Sequence, residues 1–352
     1  MANVRHPPLK AGMIDAPHRR WAAGDLTLES GEAIRDFELS YVTHGKLNAE
    51  RDNAVLVTVS LTGNHHRLDF LIGPGKALDT DHLFVVCADP IGNGLSSSPS
   101  NSVQQPGMRF PRFCLRDMVH SQHRLLTEEL RIDRLRCVIG ASMGGMQALQ
   151  WGVSHPDFML SIVAMTPMAR TGPWAVAVVE TARRALMADP AWNGEAFTGY
   201  PERGWRAWTG VMSVLAGRTP HALAEVFAEP LDVLPWMEKL TAENIANGFD
   251  ATDWLYQSWA YQAHDVGTTP GFRETQAALA SIRAQALILA PPLDLFNPVQ
   301  CALEAADAIV DATLVEIPSL QGHQSASSLR EEDVAFLNDE IGSFVRSIRT
   351  ES

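Results

Sequence analysis

One serine stands among residues with almost no side chain: Gly140-Ala141-Ser142-Met143-Gly144, followed by Gly145. Glycine costs chain entropy, so this density of it needs a reason. The stretch satisfies G-x-S-x-G, ends the apolar run "RCVIGAS" and opens the helical pattern "MGGMQALQWGVSHP". A nucleophilic serine on a tight strand-to-helix turn has these requirements. The backbone is strained, and small neighbours let strand and helix approach each other. The helix N-terminus also aims backbone N–H groups at a developing oxyanion. A plain glycine-rich turn or a phosphate cradle is the competing reading. The strand before and the helix after favour the nucleophile.

A serine nucleophile needs a base, and the base needs a carboxylate to orient it. "ALILAPPLDLFNP" places Asp294 just past a strand, and "TLVEIPSLQGHQSAS" places His323 in a loop past the next one. The order Ser, Asp, His is that of an α/β-hydrolase sheet, whose sites lie beyond the C-terminal ends of the strands. Taken singly, Asp294 reads as a turn carboxylate and His323 as a loop histidine; their order after the right strands argues for a triad. The second oxyanion N–H is expected from the loop after an early strand, in "VSLTGNHH". The backbone N–H groups of Leu61 and Met143 are therefore the expected oxyanion hole, with Thr62, Gly63 and His65 as substrate-side residues. The tandem His65-His66 invites a metal reading. Adjacent side chains diverge, however, and neither an H-x-x-x-H motif nor a cysteine cluster supports it, so no metal and no bound cofactor is expected. Arg170, Arg183 and Arg184 read as solvated surface residues.

These side chains need a frame. "AVLVTVSL" (54–61), "HLFVVCADP" (82–90), "RCVIGAS" (136–142), "SIVAMTP" (161–167), "QALILAPP" (285–292) and "ATLVEIPS" (312–319) are short apolar runs with turn residues around them. Such runs read as strands buried on both faces, and helical patterns between them imply a parallel sheet covered on both sides. "RDFELSYVTHGKLN" (35–48) alternates with period two and reads as antiparallel edge strands. Residues 168–269 carry helical patterns separated by Pro and Gly, with Trp concentrated there. The expected division is a core of 1–167 and 270–352 interrupted by a helical lid, 168–269.

A net charge of −13 without a basic run makes nucleic acid a poor partner. No apolar run approaches the ~20 residues of a membrane span, and no signal-peptide pattern is seen. The four cysteines show no C-x-x-C spacing and suit a reducing compartment, so a cytoplasmic location is expected.

Over most of its length the chain resembles the homoserine O-acetyltransferase family of α/β-hydrolase-fold enzymes. The resemblance is carried by "YVTHGKLNAERDNAVLV", "LTG", "RRALMADPAWNGE", "GFDATDWLY", "DLFNP" and, most specifically, "GASMGGMQALQW". It implies a mostly parallel sheet with a helical lid, a homodimer built through the lid, and ping-pong acyl transfer. Ser142 would be acylated, with His323 as base and Asp294 as its orienter. The sequence departs from the family at the acceptor side. The acidic residue that follows the family's catalytic histidine is Gln324, the arginine before F-D-A is Gly248, and "LTGNHH" stands for "LTGDAH". Gln cannot pair charge with an ammonium group. The expected activity is hydrolysis of a small ester or amide, with O-acyl transfer from acetyl- or succinyl-CoA to homoserine or a related hydroxyl as the alternative. Coenzyme A would then be a substrate. A non-catalytic binding protein on the same fold would have to keep all three triad residues unused.

Overall fold

The computed structural model describes His6 and residues 8–348. The apolar runs form strands: β3 (Ala54–Thr58), β4 (Phe84–Ala88), β5 (Leu135–Ala141), β6 (Met159–Met165), β7 (Gln285–Ala290) and β8 (Ala312–Glu316). Two longer strands precede them, β1 (Arg19–Thr27) and β2 (Ala33–His44). All eight share one sheet in the order β1-β2-β4-β3-β5-β6-β7-β8. The pairs β1–β2 and β2–β4 are antiparallel, and the others are parallel.

β3 is buried at every position, as a central parallel strand must be. β1 has no apolar run to announce it. It is the sheet edge, mostly exposed, with register shifts around Gly24. It takes the outer position, so the 35–48 segment supplies the second strand rather than the edge.

Helices α1 (Leu115–Arg124) and α2 (Met143–Ser154) pack on one face of the sheet. α1 continues as a wider, π-type turn through Glu129. The chain between β6 and β7 holds α3 (Pro173–Met187), α4 (Glu202–Thr209), α5 (Pro220–Val226), α6 (Val233–Ala246), α7 (Ala251–Gln262) and α8 (Thr275–Ala280). α9 (Val299–Ala308) joins β7 to β8, and α10 (Glu331–Ser347) closes the chain over the opposite face. The inserted helices pack through Trp205, Trp208 and Trp254, with neighbouring ring centroids 5.1 and 5.7 Å apart. Arg183 of α3 is buried rather than solvated; it pairs with Glu180 and donates to Ser258 Oγ at 2.9 Å.

A very close approach lies where β3, β5 and α2 meet. A Cβ on Gly140 would stand 2.3 Å from the Gly144 carbonyl carbon and 2.3 Å from Thr58 Oγ1. One on Gly144 would stand 2.4 Å from the Thr58 carbonyl oxygen. Thr58 Oγ1 donates within reach of two carbonyls, Ile139 at 3.1 Å and Gly144 at 2.8 Å. The glycines of the serine motif are therefore packing requirements. Gly140→Ala is expected to destabilise the fold by about 1–3 kcal/mol or more, as overpacking does. A chemical-denaturation midpoint equal to wild type would contradict this packing account.

Candidate active site

Ser142 occupies the turn between β5 and α2 with φ 57° and ψ −124°. A non-glycine residue there stores strain on the order of 1–3 kcal/mol. Several bonds hold it in place. Its N–H donates to the Met165 carbonyl at 2.9 Å and lies 3.2 Å from Thr166 Oγ1. Its carbonyl accepts from Met146 N–H at 2.9 Å, the first turn of α2. The hydroxyl is thereby presented at the C-terminal edge of the sheet.

The loops after β7 and β8 bring two side chains to it. His323 Nε2 lies 2.9 Å from Ser142 Oγ, and His323 Nδ1 lies 2.7 Å from Asp294 Oδ2. Asp294 is itself fixed: its Oδ1 accepts the backbone N–H groups of Phe296 and Asn297, both at 2.8 Å. Asn297 Nδ2 then donates to the Thr166 carbonyl at 2.7 Å, and Tyr261 donates its hydroxyl to Asn297 Oδ1. Thr166 thus touches both the serine turn and the brace behind the carboxylate. The arrangement can move a proton from Oγ to Nε2 while the carboxylate stabilises the imidazolium.

The loop after β3 is built with equal care. Gly63 N–H donates to the Ser60 carbonyl at 2.9 Å, Thr62 N–H to Gln257 Oε1 of α7 at 3.1 Å, and Ser60 Oγ to the Ala141 carbonyl at 2.7 Å. Gln147 of α2 donates to the Val59 carbonyl at 2.9 Å. Among the described residues no hydrogen-bond acceptor is found for the N–H of Leu61 or of Met143, the first residue of α2. Both are free to donate, and α2 adds its N-terminal dipole.

A cavity of about 490 Å³ opens above Ser142 and His323. Leu61, Thr62, Gly63 and Gln324 line it, as do Trp208, Met212, Ser213, Gly217 and Asn247 of the insertion. Two cations also line it that no local pattern announced, Arg67 and Lys10. Arg67 Nε lies 3.1 Å from Ser60 Oγ and Nη2 lies 2.8 Å from the Ala326 carbonyl. Burial pulls its pKa down to about 10, which leaves it charged at neutral pH. Lys10 Nζ donates to Asn247 Oδ1 at 2.7 Å, beside Gly248. A cation from the N-terminal segment thus reaches the residue before Gly248. No carboxylate lines this cavity among the described residues.

His65 is the exception among the expected site residues. It is 2 % exposed, faces away from Ser142, and puts Nδ1 3.0 Å from Asp89 Oδ2. The tandem histidines also fail to diverge. Residues 64–67 form a turn, with Arg67 N–H donating to the Asn64 carbonyl at 2.9 Å, and this turns both rings to one side, centroids 4.3 Å apart. They line a separate cavity with His6 and His18.

Fold and geometry together define the class, and the comparisons agree. Residues 60–201 match the family model described as alpha/beta hydrolase fold. The acetyl esterase MekB superposes with a TM-score of 0.88 at 27% identity, over 94% of this chain and 97% of that one. An acetylester hydrolase from Corynebacterium glutamicum gives 0.87 at 27% identity, over 94% and 96%. The protein is an α/β-hydrolase-fold enzyme. It is 31% identical over 341 residues to the homoserine O-acetyltransferase of Solidesulfovibrio magneticus, covering 86% of each chain. The chain belongs to the homoserine O-acetyltransferase family. Among the described residues, no helix is long and apolar enough to cross a membrane.

Asp294→Asn should leave the thermal midpoint near wild type and lower turnover of an aryl ester by about 10⁴-fold, the loss expected when the base is held in the wrong tautomer. Full activity in this variant would exclude Asp294 as the orienting group.

Proposed function

We propose that the protein is a serine hydrolase that cleaves a small ester or amide through an acyl-enzyme, with water as acceptor. Ser142 is the nucleophile, His323 the general base and Asp294 its orienter. Ser142 Oγ attacks the substrate carbonyl carbon as His323 Nε2 takes the hydroxyl proton. The N–H groups of Leu61 and Met143 receive the oxyanion. The carbonyl–leaving-group bond then breaks, and His323 returns the proton to the departing oxygen or nitrogen. A water, deprotonated by His323, attacks the acyl-enzyme and releases the acid and Ser142. Residues 168–269 serve as the lid that shapes the acyl and leaving-group pocket.

One observation carries the choice of water over an amino-acid acceptor. Among the described residues the cavity presents Arg67, Lys10 and the neutral Gln324, and no carboxylate. An acceptor's carboxylate would find a partner in Arg67, but its ammonium group would be brought beside two cations. At a separation of a few ångströms near a surface, such a like-charge contact costs on the order of a few kcal/mol. A neutral or anionic ester meets no such penalty. Family membership favours the second reading, transfer of acetyl from its CoA ester to the homoserine hydroxyl.

Thiol release from acetyl-CoA, measured with and without L-homoserine against a Ser142→Ala blank, separates the two. The hydrolase reading expects no homoserine-dependent release, together with aryl-acetate hydrolysis that falls by several orders of magnitude in Ser142→Ala. Homoserine-dependent release with O-acetylhomoserine formed would make the protein a transferase despite Gln324.

A further inference from the structure

The rings of His65 and His66 meet a third histidine from the segment before β1. His6 Nε2 stands 3.0 Å from His65 Nε2 and 3.2 Å from His66 Nε2. All three nitrogens lie within 4.8 Å of one another. Each of the two buried rings is backed by a buried carboxylate: His65 Nδ1 is 3.0 Å from Asp89 Oδ2, and His66 Nδ1 is 2.7 Å from Asp69 Oδ2. Both carboxylates are anchored to backbone as well. Asp89 Oδ1 accepts His65 N–H at 2.9 Å, and Asp69 Oδ2 accepts Ile14 N–H at 2.7 Å.

The geometry of the three rings bears on what this cluster can hold. A carboxylate at Nδ1 fixes the proton on that nitrogen and leaves the Nε2 lone pair of a neutral ring facing inward. Two such lone pairs converge on one atom, His6 Nε2, which brings at most one proton. With both buried rings neutral, one N–H serves one acceptor, and the other contact sets lone pair against lone pair. A metal ion at the centre removes the conflict, because it takes all three lone pairs at once. Tetrahedral zinc with bonds of about 2.0–2.1 Å places its ligand nitrogens about 3.3–3.4 Å apart, near the 3.0 and 3.2 Å that separate His6 Nε2 from the other two. Carboxylate-backed imidazoles are also the usual outer support of such ligands.

We propose that His6, His65 and His66 form a binding site for a zinc-like divalent transition metal, coordinated through three Nε2 atoms. An all-imidazole set suits zinc and its neighbours and does not suit calcium or magnesium. The fourth position faces a cavity of about 460 Å³. The nearby set of His18, His65 and Asp89 is the weaker alternative, because it would consume the carboxylate that orients His65. The metal pins the N-terminal segment to the loop after β3. Leu9 borders the histidine cavity, and the next residue, Lys10, borders the cavity of Ser142. The site therefore also sets where a cation stands at the entrance to the active site.

The test uses the full chain without a histidine tag, stripped by chelator, re-exposed to excess zinc and desalted. Elemental analysis should find about one zinc per chain, and zinc should raise the thermal midpoint, as a ligand of the folded state does. His6→Ala changes a residue outside every helix and strand and should fold normally. It should lose affinity by more than the roughly 10–100-fold typical of an outer-shell change, and zinc should no longer raise its midpoint. His66→Ala should behave the same way. Wild type that elutes without zinc, or His6→Ala that binds zinc as tightly as wild type, overturns the proposal.

Discussion

The structure depends on one backbone crossing. β3, β5 and the first turn of α2 meet with no room for a Cβ at Gly140 or Gly144, and Thr58 ties the carbonyls of Ile139 and Gly144 together across that contact. This contact forces the abrupt reversal at Ser142 and holds its φ at 57°. Everything near the site takes its place from that crossing. The Leu61 loop leaves β3 beside it, and Ser60 and Gln147 stitch the loop to β5 and α2. On the other side, Met165 and Thr166 of the β6 end receive the Ser142 N–H, and Asn297 carries the same brace on to Asp294. The strain at one residue is held by three neighbouring loops, so the hydroxyl needs no reorganisation to meet His323.

The Ser142–His323–Asp294 cluster and the far wall of its cavity come from different parts of the molecule. Ser142, Asp294 and His323 come from loops at the C-terminal edge of the sheet, fixed by hydrogen bonds that reach into the core. The far wall of the cavity comes from the inserted helices, and its charge comes from Arg67 and from Lys10 on the N-terminal segment. Gln324, next to His323 in the chain, lines that cavity without a charge.

Much of the frame was legible in the sequence, and the reasons are physical. Central strands are buried on both faces, so β3 to β7 appear as unbroken apolar runs. The glycines around Ser142 announce a close crossing, and Asp294 and His323 follow strand ends where open sheets place their sites. β1 left no such trace, because an edge strand keeps one side in water and Gly24 interrupts its pairing. Arg67 and Lys10 could not be read at all. Their importance arises from contacts with Ala326 and Asn247, more than two hundred residues away, and no local pattern encodes them. His65 lines the histidine cavity and not that of Ser142, because the tight turn at 64–67 carries its ring toward Asp89 and His6.

Whether Ser142 carries the acyl group is read most directly by a rapid acid quench of the enzyme during turnover of an aryl acetate, followed by intact-mass and peptide analysis. The expected result is the added mass of one acetyl group, located on the peptide containing Ser142 and absent from Ser142→Ala. Acetyl on another residue, or undiminished turnover by Ser142→Ala, would contradict it.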